Sequence, residues 1–167
     1  MSPFLPAALL AATLLGAPPP ATPATTSPPA AASAPTPGGC TGTLSGAVTA
    51  SFGCSVTATI EGKVATVVIT VAGPVAGLRA LQPGTVSLAL PVASGAYSGE
   101  ALSAASASLE TSAGARFAAG RGDVTLTVDQ AERYRQSPNH LVMSGALKAR
   151  LVPARGGTGE VLVEVRF

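Results

Sequence analysis

A regular alternation of apolar and hydroxylated residues constrains the fold of this chain more than any other feature. Between positions 44 and 60 every even-numbered residue is apolar or glycine, while most odd-numbered residues are Ser or Thr. A period of two places one set of side chains on each face of a β-strand. The run at residues 64–71, "VATVVITV", adds a stretch rich in β-branched residues, which favour strands. These two segments predict an all-β domain.

The chain has two cysteines, Cys40 and Cys54, at the two ends of "CTGTLSGAVTASFGC". One extended strand between them would separate their Cα atoms by about 45 Å, at about 3.3 Å per residue. A disulfide requires Cα atoms within about 7 Å of each other. A hairpin centred on Ala47 satisfies both the disulfide and the alternation, because residues that face each other across it have the same parity. We predict this hairpin and a Cys40–Cys54 disulfide; a single long strand with free thiols is the alternative.

The remaining sequence contains further strand-like segments separated by turn signals. We expect strands at "TVSLAL", "ALSAASASLET" and "DVTLTV", followed by a C-terminal hairpin made of "HLVMSGALKARLV" and "EVLVEVRF". We expect tight turns at "EGK" (residues 61–63) and "QPG" (residues 82–84). About eight strands in residues 40–167, separated by turn signals, predict an antiparallel β-sandwich, with a small barrel as the alternative.

Four of these segments also carry a resemblance. In order, "PGTVSLAL", "GDVTLTV", "LVMSGALKARLV" and "GEVLVEVRF" are similar to strands of small β-sandwich domains in bacterial exported and lipoprotein-type proteins. The similarity covers roughly residues 43–167. The chain departs from that pattern at Val86, where an aromatic residue is usual, and at Ala146, where Thr is usual. The resemblance implies a fold and an exported location, and it carries over no functional residues.

The N-terminal part has a different composition. The first charged side chain is Glu61, and the apolar run "FLPAALLAATLLGA" begins at residue 4. We predict a signal peptide at residues 1–17, with cleavage as late as residue 24. A disordered linker rich in Pro, Ala and Thr is then expected at residues 18–39. An N-terminal helix of the mature fold and a lipid attached to Cys40 are the alternatives.

Composition also bounds the function. Charged residues make up 11% of the chain and the net charge is +2, without the basic cluster that nucleic-acid binding requires. The body contains no apolar run long enough for a transmembrane helix. With one His, two Asp and no Trp, we expect no enzymatic activity, no metal and no cofactor. We expect an exported monomer, periplasmic, cell-surface or extracellular, whose partner is an unidentified protein or envelope component.

The densest polar segment is "DQAERYRQSPNH", residues 129–140. Loops on rigid β domains often carry binding function, and Tyr and Arg are enriched at binding hot spots. We predict a binding loop here, with these residues as candidates: Arg133, Tyr134, Arg135, Gln136, Asn139 and His140. The tripeptide Arg121-Gly122-Asp123, which can act as an adhesion motif, is predicted to be an ordinary turn.

Two other functional hypotheses stay open. The alternating valines that lead to Phe167 are also typical of the closing strand of an eight-stranded outer-membrane β-barrel. The small number of aromatic residues, four Phe and two Tyr, argues against the aromatic girdles that such a barrel carries. The second alternative is a weak hydrolase that uses His140, although the sequence has no G-x-S-x-G motif.

Overall fold

The computed structural model describes residues 39–167. The signal peptide and nearly all of the linker predicted for residues 1–39 therefore lie outside the described residues. The described part is all-β, and its strands pair in antiparallel fashion. The strands are β1 (Cys40–Gly46), β2 (Ala50–Glu61), β3 (Val64–Val71), β4 (Leu78–Ala89), β5 (Gly95–Ser98), β6 (Leu102–Thr111), β7 (Arg116–Ala119), β8 (Val124–Arg133), β9 (His140–Arg155) and β10 (Val161–Arg166).

The predicted N-terminal hairpin is confirmed. Cys40 lies opposite Cys54 and Leu44 lies opposite Ala50, so the hairpin is centred on Ala47. The Cα atoms of the two cysteines are 4.7 Å apart and their sulfur atoms form a disulfide. Both cysteines are buried. The even-numbered apolar face therefore continues across the turn, as equal parity requires.

Strand β9 is the longest element, and it organises the sheet. One of its edges pairs first with β8 and then, towards its end, with β7. Its other edge pairs with β10, which is followed in turn by β1, β2, β3, β4 and β6. Because β6 pairs with β7, the hydrogen-bonded path returns to β9 and forms a closed circuit. The short strand β5 is added at the edge of β8.

The inner face of this circuit forms the core. The buried residues are all apolar, and no polar or charged residue is buried in the part of the chain that the structure describes. The alternation is clear in β10, where Val161, Val163 and Val165 are buried and the residues between them are exposed. The outer face of β1 and β2 carries Ser and Thr hydroxyls. Sequence parity therefore sorts side chains between core and solvent.

Close approaches explain two glycines in the strands. The ring of Phe52 in β2 covers Gly42 directly opposite in β1, where a Cβ atom would overlap the ring. In β9, Gly145 lies against the carbonyl oxygen of Thr127, next to a register shift between Val128 and Gln130 in β8. A side chain at Gly42 would displace the Phe52 ring, whereas one at Gly145 would push the backbone of β8 away.

Two predictions about the strands are wrong. The structure has ten strands rather than about eight, because β5 and β7, of four residues each, are too short to show an alternation. "QPG" is not a turn: β4 runs through it with a register shift between Gln82 and Thr85. Pro83 lacks the N–H that a regular ladder uses, which explains an irregularity rather than a strand end. The turn predicted at "EGK" is confirmed, since Glu61 pairs with Val64 across it.

Candidate functional site

The predicted binding segment is partly strand and partly loop. Residues 129–133 continue β8 and His140 begins β9, so the prediction of a loop over the whole of residues 129–140 is wrong. The connection itself comprises residues 134–139. Strand β8 extends to Arg133, which still pairs with Leu141 of β9.

The connection is held by backbone hydrogen bonds at both ends. The Tyr134 N–H donates to the carbonyl of His140 at 2.9 Å, and the His140 N–H donates to the carbonyl of Ser137 at 2.9 Å. The Ile60 N–H of β2 donates to the carbonyl of Asn139 at 2.7 Å. The loop is therefore fixed both to its own strands and to β2.

The side chains of the loop face solvent. Tyr134 is 44% exposed, and its hydroxyl donates to the Oε1 atom of Gln136 at 3.2 Å. Neither Arg133 nor Arg135 has a carboxylate within ion-pairing distance among residues 39–167. The loop thus presents one aromatic ring and two guanidinium groups, which suits recognition of a polar or acidic surface.

His140 is the residue on which the hydrolase alternative depends. It is exposed and lies opposite Thr59 in the short pairing between β2 and β9. Its side chain makes no hydrogen bond to a Ser hydroxyl or a carboxylate within the described residues. A nucleophilic triad needs both contacts. The hydrolase therefore stays a prediction, and the described residues form no triad around His140.

An apolar cavity lies next to the loop. Strands β1 and β10 lie side by side between β2 and β9, and they end at Cys40 and Arg166. Beyond these ends β2 pairs directly with β9, where Ala58 lies opposite Leu141. The convergence leaves a cavity of about 370 Å³ with Val56, Ala58, Leu141, Met143 and Phe167 among its lining residues. Its lining is mainly apolar, and no ionisable side chain of residues 39–167 lines it.

The Arg121–Gly122–Asp123 tripeptide forms a 3₁₀ turn between β7 and β8, in agreement with the predicted turn. The Asp123 carboxylate accepts a hydrogen bond from Arg150 at 3.1 Å, and Arg150 also lies 3.5 Å from Glu160. The hydrogen bond to Asp123, together with the charges of Glu160 and Asp123, raises the pKa of Arg150. The acidic group of the tripeptide is thus engaged within the domain.

Within residues 39–167 no three His, Cys, Asp or Glu side chains converge as a metal site would require. No helix in this part of the chain is long and apolar enough to cross a membrane. No family model, curated protein or solved structure matches the chain. The function is therefore inferred from the geometry of residues 39–167 and from the sequence.

Proposed function

We propose that this chain is an exported, non-catalytic β domain with a structural or binding role at the cell envelope or outside the cell. The observation that carries the proposal is the disulfide between Cys40 and Cys54. Disulfides persist in oxidising compartments and are rare in the bacterial cytosol. The resemblance to exported and lipoprotein-type domains agrees with this location.

The sandwich architecture belongs to the same proposal. Leu147 of β9 packs against Gly84 of β4, where a Cβ atom would lie 2.8 Å from the Leu147 Cδ1 atom. These two strands are not paired with each other, so their inner faces meet across the core. Facing strands from different parts of one circuit are what two stacked layers require.

The binding role is assigned to the loop at residues 134–139 and to Arg133 and His140 at its ends. An exposed tyrosine and two arginines, neither with a carboxylate partner among residues 39–167, give the loop and its ends the residue types that dominate binding hot spots. The short backbone hydrogen bonds hold the loop in place before a partner binds, which lowers the entropic cost of binding. The expected partner is a protein or envelope component with an acidic or polar surface.

The outer face of the sheet supports a domain surrounded by water. Side chains that contact lipid must be apolar, whereas the outward residues of β1 and β2 include Thr43, Ser45, Ser51, Ser55 and Thr57, all exposed. The outer-membrane alternative would require the opposite distribution. We therefore favour a domain that needs no bilayer to cover its outer face.

Cell fractionation combined with thiol labelling tests the proposal. The full chain, produced in a bacterial host, should appear in the periplasm or medium without detergent. It should also react with an alkylating reagent only after reduction. The Cys40→Ser/Cys54→Ser variant, which should not react before or after reduction, is the matched control. Retention in the cytosol, or labelling of the unreduced protein, would contradict the proposal.

A further inference from the structure

A second group of charged residues lies at the other end of β9, far along the strand from the loop. The Glu110 carboxylate in β6 contacts two arginines at once. The Arg116 Nε atom lies 2.9 Å from one carboxylate oxygen, and the Arg79 Nη1 atom lies 3.6 Å from the other. The Glu110 side chain is 19% exposed, whereas those of Arg79 and Arg116 are 75% and 57% exposed. One partly buried acid thus holds two arginines near the surface.

A third arginine adjoins this group. Arg155 of β9 lies directly opposite Arg116 of β7. Among the paired strands of residues 39–167, Arg116–Arg155 is the one pair of like charges. Two other pairs, Glu110–Arg116 and Lys148–Glu164, join opposite charges. Like charges directly opposite each other destabilise a sheet. Glu110 pairs with Arg116, but no carboxylate of the described residues lies within ion-pairing distance of Arg155. The charge of Arg155 therefore has no acidic partner in this part of the chain.

Register shifts create this arrangement. In β9, Arg155 pairs with Arg116 and Pro153 pairs with Phe117, so Ala154 is an extra residue in the ladder. Without the shift, Ala154 would face Arg116, and Arg155 would point to the other side of the sheet. Bulges often occur next to functional sites, where they redirect a side chain.

A second shift brings in Arg79. In β4, Leu78 pairs with Thr111 and the next pair joins Ala80 to Glu110, which leaves Arg79 as the extra residue. Two independent irregularities, in strands β4 and β9, therefore each bring an arginine to the neighbourhood of Glu110. With three arginines and one glutamate, the group has an excess of two positive charges.

A cavity adjoins Arg116, and the neighbours of the other two arginines in their strands, Ala80 and Ala154, also line it. Its volume is about 380 Å³, and its lining includes Gln82, Ser108, Glu110, Arg116 and Ala154. Gln82 and Ser108 supply neutral hydrogen-bonding groups, and the small side chain of Ala154 leaves space beside Arg116. The volume is within the range of pockets that hold small molecules.

We propose that this cluster, Arg79, Arg116 and Arg155 around Glu110, binds an oxyanion, a carboxylate or phosphate group, of a ligand whose body occupies the cavity. Guanidinium groups bind both anions through paired hydrogen bonds. The bound anion supplies the acidic partner that Arg155 lacks among the described residues. The site goes beyond the function proposed for the loop at residues 134–139, and it does not depend on export.

Titration of the full chain with inorganic pyrophosphate and, separately, with citrate tests the proposal. NMR shift changes should centre on the three arginines and Glu110. Arg155→Ala should weaken binding about tenfold, the loss expected for one charge-assisted interaction. Arg155→Lys keeps the charge but loses the planar fork, and it should restore only part of the affinity.

The matched control is Arg166→Ala, which removes an exposed arginine of β10 that forms no ion pair with a described residue. It should change the affinity less than about twofold, because a distant surface charge is screened by salt. Saturable binding of pyrophosphate alone, citrate alone or both supports the site and identifies the preferred anion. Binding of neither, or equal losses in Arg155→Ala and Arg166→Ala, overturns it.

Discussion

The two ends of β9 both present arginines, but they hold them in different ways. At the beginning of the strand, Arg135 lies in the loop and Arg133 ends the neighbouring strand, and both face solvent without an acidic partner among the described residues. At the end of the strand, Arg155 is fixed in a ladder directly opposite Arg116. At the first end the two arginines belong to a strand end and a loop, whereas at the second end two arginines are paired in adjacent strands.

The two groups of arginines also differ in how far apart their residues lie in the sequence. The loop candidates lie within eight consecutive residues, from Arg133 to His140. The arginine cluster comes from four strands, β4, β6, β7 and β9. Among the described residues, the pairing of two like charges, Arg116 and Arg155, belongs to the second group. A pairing that lowers stability is expected where function competes with stability.

The largest expected effect comes from the middle of β9, which both ends share. Leu147 is fully buried, so Leu147→Ala should lower the free energy of unfolding by about 2–5 kcal/mol. Lys148→Ala, one residue along, is the matched control; it removes an exposed pair with Glu164 that is worth about 1 kcal/mol or less. Urea denaturation measures both. Equal losses would mean that β9 is not the shared support of its two ends.

Loss of the disulfide should separate the two ends. The bond closes a loop of about 15 residues, and Cys40→Ser/Cys54→Ser should cost about 3 kcal/mol. Strand β2, which carries Cys54, contacts the beginning of β9 through Asn139 and Leu141. Amide exchange should therefore accelerate more at Leu141 than at Val152, near the end of β9. Hydrogen exchange of the variant against the oxidised protein measures this contrast. Uniform acceleration along β9 would contradict it.

A smaller effect of the opposite sign is expected at the arginine cluster. Arg155→Glu replaces a like-charged pair with an opposite one, so the free energy of unfolding should increase by about 0.2–1 kcal/mol. The same change in the loop, Arg135→Glu, should alter stability by less than about 0.5 kcal/mol, as for an ordinary surface position. Urea denaturation at low salt compares the two. A loss of stability in Arg155→Glu would show that the pair is not repulsive.

The smallest effect on stability is expected at Tyr134. Its ring is 44% exposed, and its hydroxyl contacts only the neighbouring Gln136 among the described residues. Tyr134→Ala should change the free energy of unfolding by less than about 0.5 kcal/mol, while it removes the aromatic anchor proposed for partner binding. A thermal melt checks the first part. A loss above about 1 kcal/mol would mean that the ring supports the fold.

The hairpins could be predicted because local rules determine them. Once Cys40 and Cys54 are taken as a disulfide, their spacing and the parity of the residues between them predict a reversal at Ala47, which the structure confirms. The C-terminal hairpin of β9 and β10 follows from the same alternation, interrupted by "RGGTG". In both cases the partners are close in sequence, so periodicity and turn residues contain enough information.

The arginine cluster could not be predicted, because it depends on pairings between distant segments and on register shifts. Alternation assigns Arg155 to a face only if the ladder stays regular, and the extra residue Ala154 reverses that assignment. In β4, Pro83 predicts a turn, but it lies at a register shift inside the strand. The pairing of β7 with β9, which places Arg116 opposite Arg155, has no local sequence signal.

Unfolding of the wild type and of Arg155→Glu, each with and without pyrophosphate, tests whether Arg155 lies opposite Arg116 in order to bind an anion. A ligand that binds only the folded state stabilises it, by about 2.7 kcal/mol at one hundred times its dissociation constant. We expect the variant to be the more stable protein without pyrophosphate, and only the wild type to gain stability when pyrophosphate is added. Equal gains in both proteins, or no gain in either, would contradict it.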